Sequence, residues 1–152
     1  MTKEEIKKEL YKQCVLFVDA RINNSLNAIK NAQESANTEV KSSAGDKHET
    51  GRSMAQLETE KNAIQLQESN KLRRVIGLIN PTKTFDKVQL GSVVITNVGK
   101  YYIAISVGKI NVENEIYYGV SAVSPIGQAL LQHKVGDEVL FNGRKFLIEA
   151  VF

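Results

Sequence analysis

The chain has no tryptophan, a single cysteine and only two prolines in 152 residues. With Cys14 alone there is no internal disulfide framework, and cysteine-based zinc sites lack their ligands. No apolar run approaches the roughly 20 residues that span a bilayer. The opening "MTKEEIKKEL" is charged and periodic, unlike a signal peptide. Charge of one sign is also scarce: 20 Lys and Arg stand against 17 Asp and Glu, a net charge of +3. Residues 1–80 carry thirteen basic and eleven acidic side chains, and residues 81–152 carry seven and six. Neither half has the concentrated basic face that phosphate-driven nucleic-acid binding needs. Aromatic residues, 7% of the chain, are too few and scattered for a base-stacking platform. The expectation is a cytoplasmic protein without a membrane anchor.

What is present divides into two halves of different period. Before "NPTKTFDKVQLG" (80–91) there is no proline and there are three glycines, Gly45, Gly51 and Gly77. Pro81 cannot continue a helix and disfavours helix at Asn80, which puts a domain boundary at about 80–85. In the first half Ile6, Leu10, Cys14, Phe17, Ile22, Leu26, Ile29, Ala32, Ala36 and Val40 recur at helical spacing. Met54, Leu57, Ile64, Leu72, Val75 and Ile79 do so in a second run, interrupted by Lys61 and Glu68. Each stripe is too thin to enter a large core, so each helix is expected to find the other. Residues 1–80 then form an antiparallel coiled-coil hairpin with its tip at 42–51. A plain helical bundle, alone or as a dimer, fits the same periodicity.

The second half, 81–152, reads as antiparallel β. "SVVITNV" (92–98), "YYIAISV" (101–107) and "EIYYGVSAV" (115–123) are rich in β-branched and aromatic residues. Gly99-Lys100 suits a tight turn, and Asn142-Gly143 is the strongest hairpin signal in the chain. "SPIGQALLQH" (124–133) reads as a short helix, with Ser124 as N-cap and Pro125 at its first position. The predicted core is Ile126, Ala129, Leu130, Val139, Phe141, Phe146 and Ile148. The fold class is therefore α+β: a helical hairpin, then a small sheet domain with one short helix.

At the hairpin turn the sequence runs Gly45-Asp46-Lys47-His48-Glu49. By spacing alone, Asp46 reads as a helix cap and Glu49 as a complement to the helix dipole. Taken with "SPIGQALLQHKVGDEVLF" (124–141), this segment resembles the Gre family of bacterial transcript cleavage factors. That family combines a coiled-coil hairpin with an FKBP-like domain. Its hairpin tip carries Gly-Asp-x-x-Glu, and its second domain carries Ser-Pro, then Ala-Leu-hydrophobic, then Lys-x-Gly-Asp-Glu-Val.

The resemblance implies that residues 81–152 dock on RNA polymerase, with Ser124 and Pro125 as partner contacts. It implies that the hairpin enters the secondary channel. Asp46 and Glu49 would then act at the polymerase centre as ligands of a shared Mg2+ and of the attacking water, near the RNA 3' end. The chemistry is consistent, because magnesium prefers carboxylate oxygens and two such ligands are too few to hold it alone. No tightly bound cofactor and no free-standing enzyme activity are expected; a monomer is. The chain departs from the family pattern at Lys47, at Thr50-Gly51-Arg52-Ser53 and at Val123. An alternative of the same architecture is a secondary-channel regulator or inhibitor that does not promote cleavage. A peptidyl-prolyl isomerase and a coiled-coil adaptor are more distant alternatives.

Overall fold

The computed structural model describes residues 1–42 and 46–152, with side chains described for 1–37 and 50–152. Uninterrupted by proline, the first run forms α1 (Lys3–Ser42) and the second α2 (Asp46–Gly77). The start of α1 is a reciprocal cap. The Glu5 amide donates to Thr2 Oγ1 at 3.2 Å, and the Thr2 amide donates to Glu5 Oε2 at 3.1 Å, which satisfies amides that the helix leaves unbonded. Glu4 and Glu5 also complement the dipole of the first turn. α2 stops at Gly77, shortly before Pro81. It starts at Asp46, inside the stretch 42–51 that the sequence suggested as turn. Among the described residues no helix is long and apolar enough to cross a membrane.

The chain divides into two compact units, Val18–Arg73 and Met1–Phe17 with Arg74–Phe152. In the first unit α1 and α2 pack antiparallel, with Arg73 ion-paired to Asp19. The residues buried there are Val18, Ser25 and Ala32 on α1 and Asn62 and Ser69 on α2. Each set repeats every seven residues, the period that keeps a seam facing its partner. This corrects the first part of the stripe expected on α2, whereas Leu10, Cys14 and Ala32 of the stripe expected on α1 are buried. Met54, Leu57 and Ile64 are 66%, 65% and 62% exposed, and Leu26 is exposed as well. Hydrophobicity alone assigned the phase of the heptad, and the contact instead runs through small and polar side chains. Asn62 and Ser69 fit there because they satisfy themselves locally: Asn62 Nδ2 donates to Glu58 O at 2.8 Å and Ser69 Oγ to Gln65 O at 2.9 Å.

The second unit holds a six-stranded sheet. Its strands are β1 (Val93–Thr96), β2 (Lys100–Ala104), β3 (Gly108–Val112), β4 (Glu115–Ser121), β5 (Glu138–Phe141) and β6 (Arg144–Val151), in the order β3-β4-β2-β1-β6-β5. All pairings are antiparallel except β2 with β4, which is parallel. That exception differs from the wholly antiparallel expectation. It arises because β3, not anticipated from the sequence, forms a hairpin with β4 through Glu113 and Asn114, both at positive φ. β4 is thereby laid beside β2 in the same direction. The tight turn expected at Gly99-Lys100 falls slightly earlier, where Thr96 Oγ1 accepts from the amides of Val98 and Gly99. The Asn142-Gly143 turn is as expected, with φ of 50° and 76°.

One core cluster joins Val88, Val94, Ile103, Leu130, Val139, Phe146 and Ile148, with Ile126, Ala129 and Phe141 packed against it. All seven predicted core residues are in this group. Leu10 and Cys14 of α1 are buried in the same unit, as are Tyr102, Tyr117 and, unexpectedly, Lys7. The α+β layout read from the sequence is thus present: a long helical pair, then a small, mostly antiparallel sheet with one short helix, α3 (Pro125–Leu130).

Candidate functional site

Two places carry the residues singled out by sequence. The first is the start of α2. Asp46 opens the helix and Glu49 falls in its first turn; positions three apart on a helix share a face. Their side chains lie outside the described residues, as do those of Lys47 and His48 and the whole of Gly45. Arg52, one turn further on, is exposed. Among the described residues no group of three His, Cys, Asp or Glu side chains is placed to hold a metal ion.

The second place is the corner between β4 and α3. Ser124 has extended backbone, with φ −69° and ψ 159°, and caps α3 by accepting from the Gly127 amide at 3.2 Å. Its hydroxyl donates to Ser121 O at 2.6 Å, and its amide donates to the same oxygen at 3.1 Å. The Ser124 hydroxyl is therefore engaged within the fold, and its role is to set the corner. Pro125 is exposed and takes the first helical position, where its missing N–H costs nothing. Val123 beside it is 81% exposed. The surface offered at this corner is apolar, framed by a rigid backbone.

Beyond α3 the turn is held by hydrogen bonds to one carboxylate. Asp137 Oδ2 accepts from the Lys134 amide at 3.0 Å and faces His133 Nδ1 at 3.1 Å. The backbone amide first, and the His133 side chain second, hold the Asp137 carboxyl below its usual range. His133 thus fixes a turn, a role that its place after α3 did not reveal.

Sequence reading missed two buried polar groups. Lys7 directs its ammonium to Lys83 O and sits over the Phe85 ring at 4.7 Å, and burial pushes its pKa down to about 8. Tyr102 is fully buried, and its hydroxyl has no hydrogen-bond partner among the described residues. Neither has a local signal: Lys7 looks like one more helical lysine, and Tyr102 like one of a pair of strand tyrosines.

No protein-family model matches the chain, and neither does any protein in a search of curated sequences.

Proposed function

We propose that the protein is a bacterial transcription elongation factor that binds RNA polymerase through its secondary channel and stimulates cleavage of backtracked RNA. The reading rests on the Gre-family pattern in the sequence. The observation that carries it is positional. α1 ends at Ser42, and the two carboxylate residues, Asp46 and Glu49, open the returning helix of an antiparallel pair. Such a pair can carry acidic groups to a distant centre: α2 alone, at 32 residues, is about 48 Å long at 1.5 Å per residue.

On this reading Asp46 and Glu49 would lend oxygens to a magnesium ion held jointly with the polymerase and would help to orient the attacking water. The ion, when bound, stabilises the charge developing on the oxygens of phosphodiester hydrolysis. The chain's own residues position, and the polymerase supplies the remaining ligands. The apolar corner at Val123 and Pro125 supplies a docking contact, with Ser124 holding its shape. The protein works in the cytoplasm and is not itself a nuclease.

The test is cleavage in backtracked elongation complexes. Wild type is expected to accelerate cleavage, and Asp46→Ala and Glu49→Ala are each expected to abolish the acceleration while polymerase binding persists. Binding without acceleration by wild type would instead identify a channel regulator. Lack of binding to polymerase would overturn the whole reading.

A further inference from the structure

The paired helices bury the less apolar of two faces. Ala32, Ser25, Asn62 and Ser69 are inside, whereas Met54, Leu57 and Ile64 lie outside on α2. Leu57, Lys61, Ile64, Glu68 and Leu72 follow one another at spacings of four, three, four and four, so they form one continuous stripe. Along this stripe Leu57 and Ile64 are exposed and Leu72 is half-buried, an apolar row of the kind that marks a contact.

The order along this stripe is self-complementary. When a second copy of α2 lies antiparallel about a two-fold axis between residues 64 and 65, Leu57 meets Leu72 of the second copy. Lys61 meets its Glu68, and Glu68 meets its Lys61. Ile64 lies at the axis. One patch meets itself, as a two-fold interface requires, with Lys61 opposite Glu68 and Leu57 opposite Leu72 on both sides of the axis, and Ile64 beside the axis against Gln65 of the second copy. The register that sets Leu57 on Leu57 puts Lys61 opposite Ser53, and the one that sets Leu72 on Leu72 carries Lys61 past the end of α2 at Gly77. Toward α1, the stripe borders a groove of about 520 Å³ that Ile64, Glu68 and Ala28 help to line, leaving room for the opposing side chains. Glu68 now pairs with Lys71 three residues on, at 3.1 Å. That exposed pair is worth little and does not hold Glu68 back.

We infer that this face of α2 is a self-association surface, and that two copies of the chain pair through it, antiparallel, by Ile64 packing and the reciprocal Lys61–Glu68 contacts. This departs from the monomer implied by the family resemblance. The occupant is a second copy rather than another protein because the charge order fits its own reverse. The patch is small, so the dimer is transient and forms with rising concentration.

Sedimentation equilibrium of the full chain tests it. Wild type is expected to shift from monomer to dimer with a dissociation constant on the order of micromolar or weaker. Lys61→Glu places like charges together twice and is expected to raise that constant by about tenfold or more. The double change Lys61→Glu with Glu68→Lys restores opposite charges and is expected to return it to within about threefold of wild type. Ile64→Ser, on an exposed position, is expected to weaken pairing with helical content unchanged. Three results overturn the inference: a wild type that stays monomeric throughout, a single reversal that leaves pairing intact, or a double reversal that fails to rescue it.

Discussion

Gly127 lies so close to Ser121 that a Cβ on the glycine would stand 2.0 Å from the Ser121 carbonyl oxygen. That oxygen already accepts from the amide and the hydroxyl of Ser124. It cannot retreat without breaking the corner that displays Val123 and Pro125. Gly127→Ala is therefore expected to destabilise the fold by about 3 kcal/mol or more, the upper range for overpacking. Ser124→Ala, which removes only the cap, is expected to cost about 1 kcal/mol. Urea unfolding of the two variants measures the difference. Equal, small losses would mean that the corner is soft.

Tyr102 leads to the opposite sign. Its hydroxyl is buried without a partner among the described residues, beside Cys14 and Tyr11, and burial pushes the phenol up. A buried unpaired hydroxyl costs about 1–3 kcal/mol, and replacing it with an apolar group of the same shape removes that cost. Tyr102→Phe is expected to be neutral or stabilising by about 1–2 kcal/mol in thermal unfolding. A clear loss of stability would show that the hydroxyl has a bound partner, such as an internal water.

Lys7 makes the alkaline behaviour of the fold specific. Its folded value, about 8, lies below the ordinary 10.5. Between these values the unfolded chain holds a proton that the folded chain lacks, so the Lys7 contribution to stability rises with pH from about 8 to 10.5. Cys14 acts in the other direction. Burial raises its thiol from 9.0 to about 12, so its contribution is full below pH 9 and is lost as pH climbs toward 12. The two oppose each other near pH 9–10.5, and the buried phenols of Tyr101, Tyr102 and Tyr117, all raised, add to the fall at the upper end. Comparison with Lys7→Met cancels the cysteine. The wild-type minus variant difference in unfolding free energy is expected to rise by about 2–3 kcal/mol between pH 7 and 10.5, because each tenfold change in proton affinity is worth about 1.4 kcal/mol. A flat difference would show that Lys7 keeps an ordinary value.

Asn62 tests the polar seam. Its amide donates within its own helix, to Glu58 O and Oε1. Asn62→Leu is expected to stabilise the helical pair by about 1–2 kcal/mol through added apolar burial. It is also expected to loosen the choice of register, as polar seam residues in coiled coils specify pairing at a cost in stability. Cross-linking of cysteines introduced at facing positions would report the register; unchanged cross-linking with unchanged stability would show that Asn62 is incidental.

Much of this architecture was legible in the chain. The proline-free run before Pro81, the Asn142-Gly143 hairpin and the Ser124-Pro125 helix start are all local signals, and each has its element. The core was legible for the same reason, since Leu130, Val139, Phe146 and Ile148 sit on clear alternations. What escaped depended on distant partners. β3, "GKINV", is short and alternates polar residues, so it looks like loop until β4 pairs with it. The parallel β2–β4 contact has no signature in either strand. On α2 the seam was misassigned at Met54, Leu57 and Ile64 because hydrophobicity favours them, whereas the phase is set by which faces of both helices fit together. For the candidate site, the sequence supplied Asp46, Glu49, Ser124 and Pro125, and the structure adds a mechanical role to Ser124.

The position of β6 bears on how the chain is made. It is synthesised after every other strand, yet it belongs between β1 and β5. A ribosome that has released only as far as residue 143 has therefore emitted a sheet with a missing slat. Val93–Thr96 then has one edge open and ready to pair with a stranger, while α1 and α2 already have all they need to zip together. The interval in which residues 144–151 are still to come is when a chaperone has most to protect.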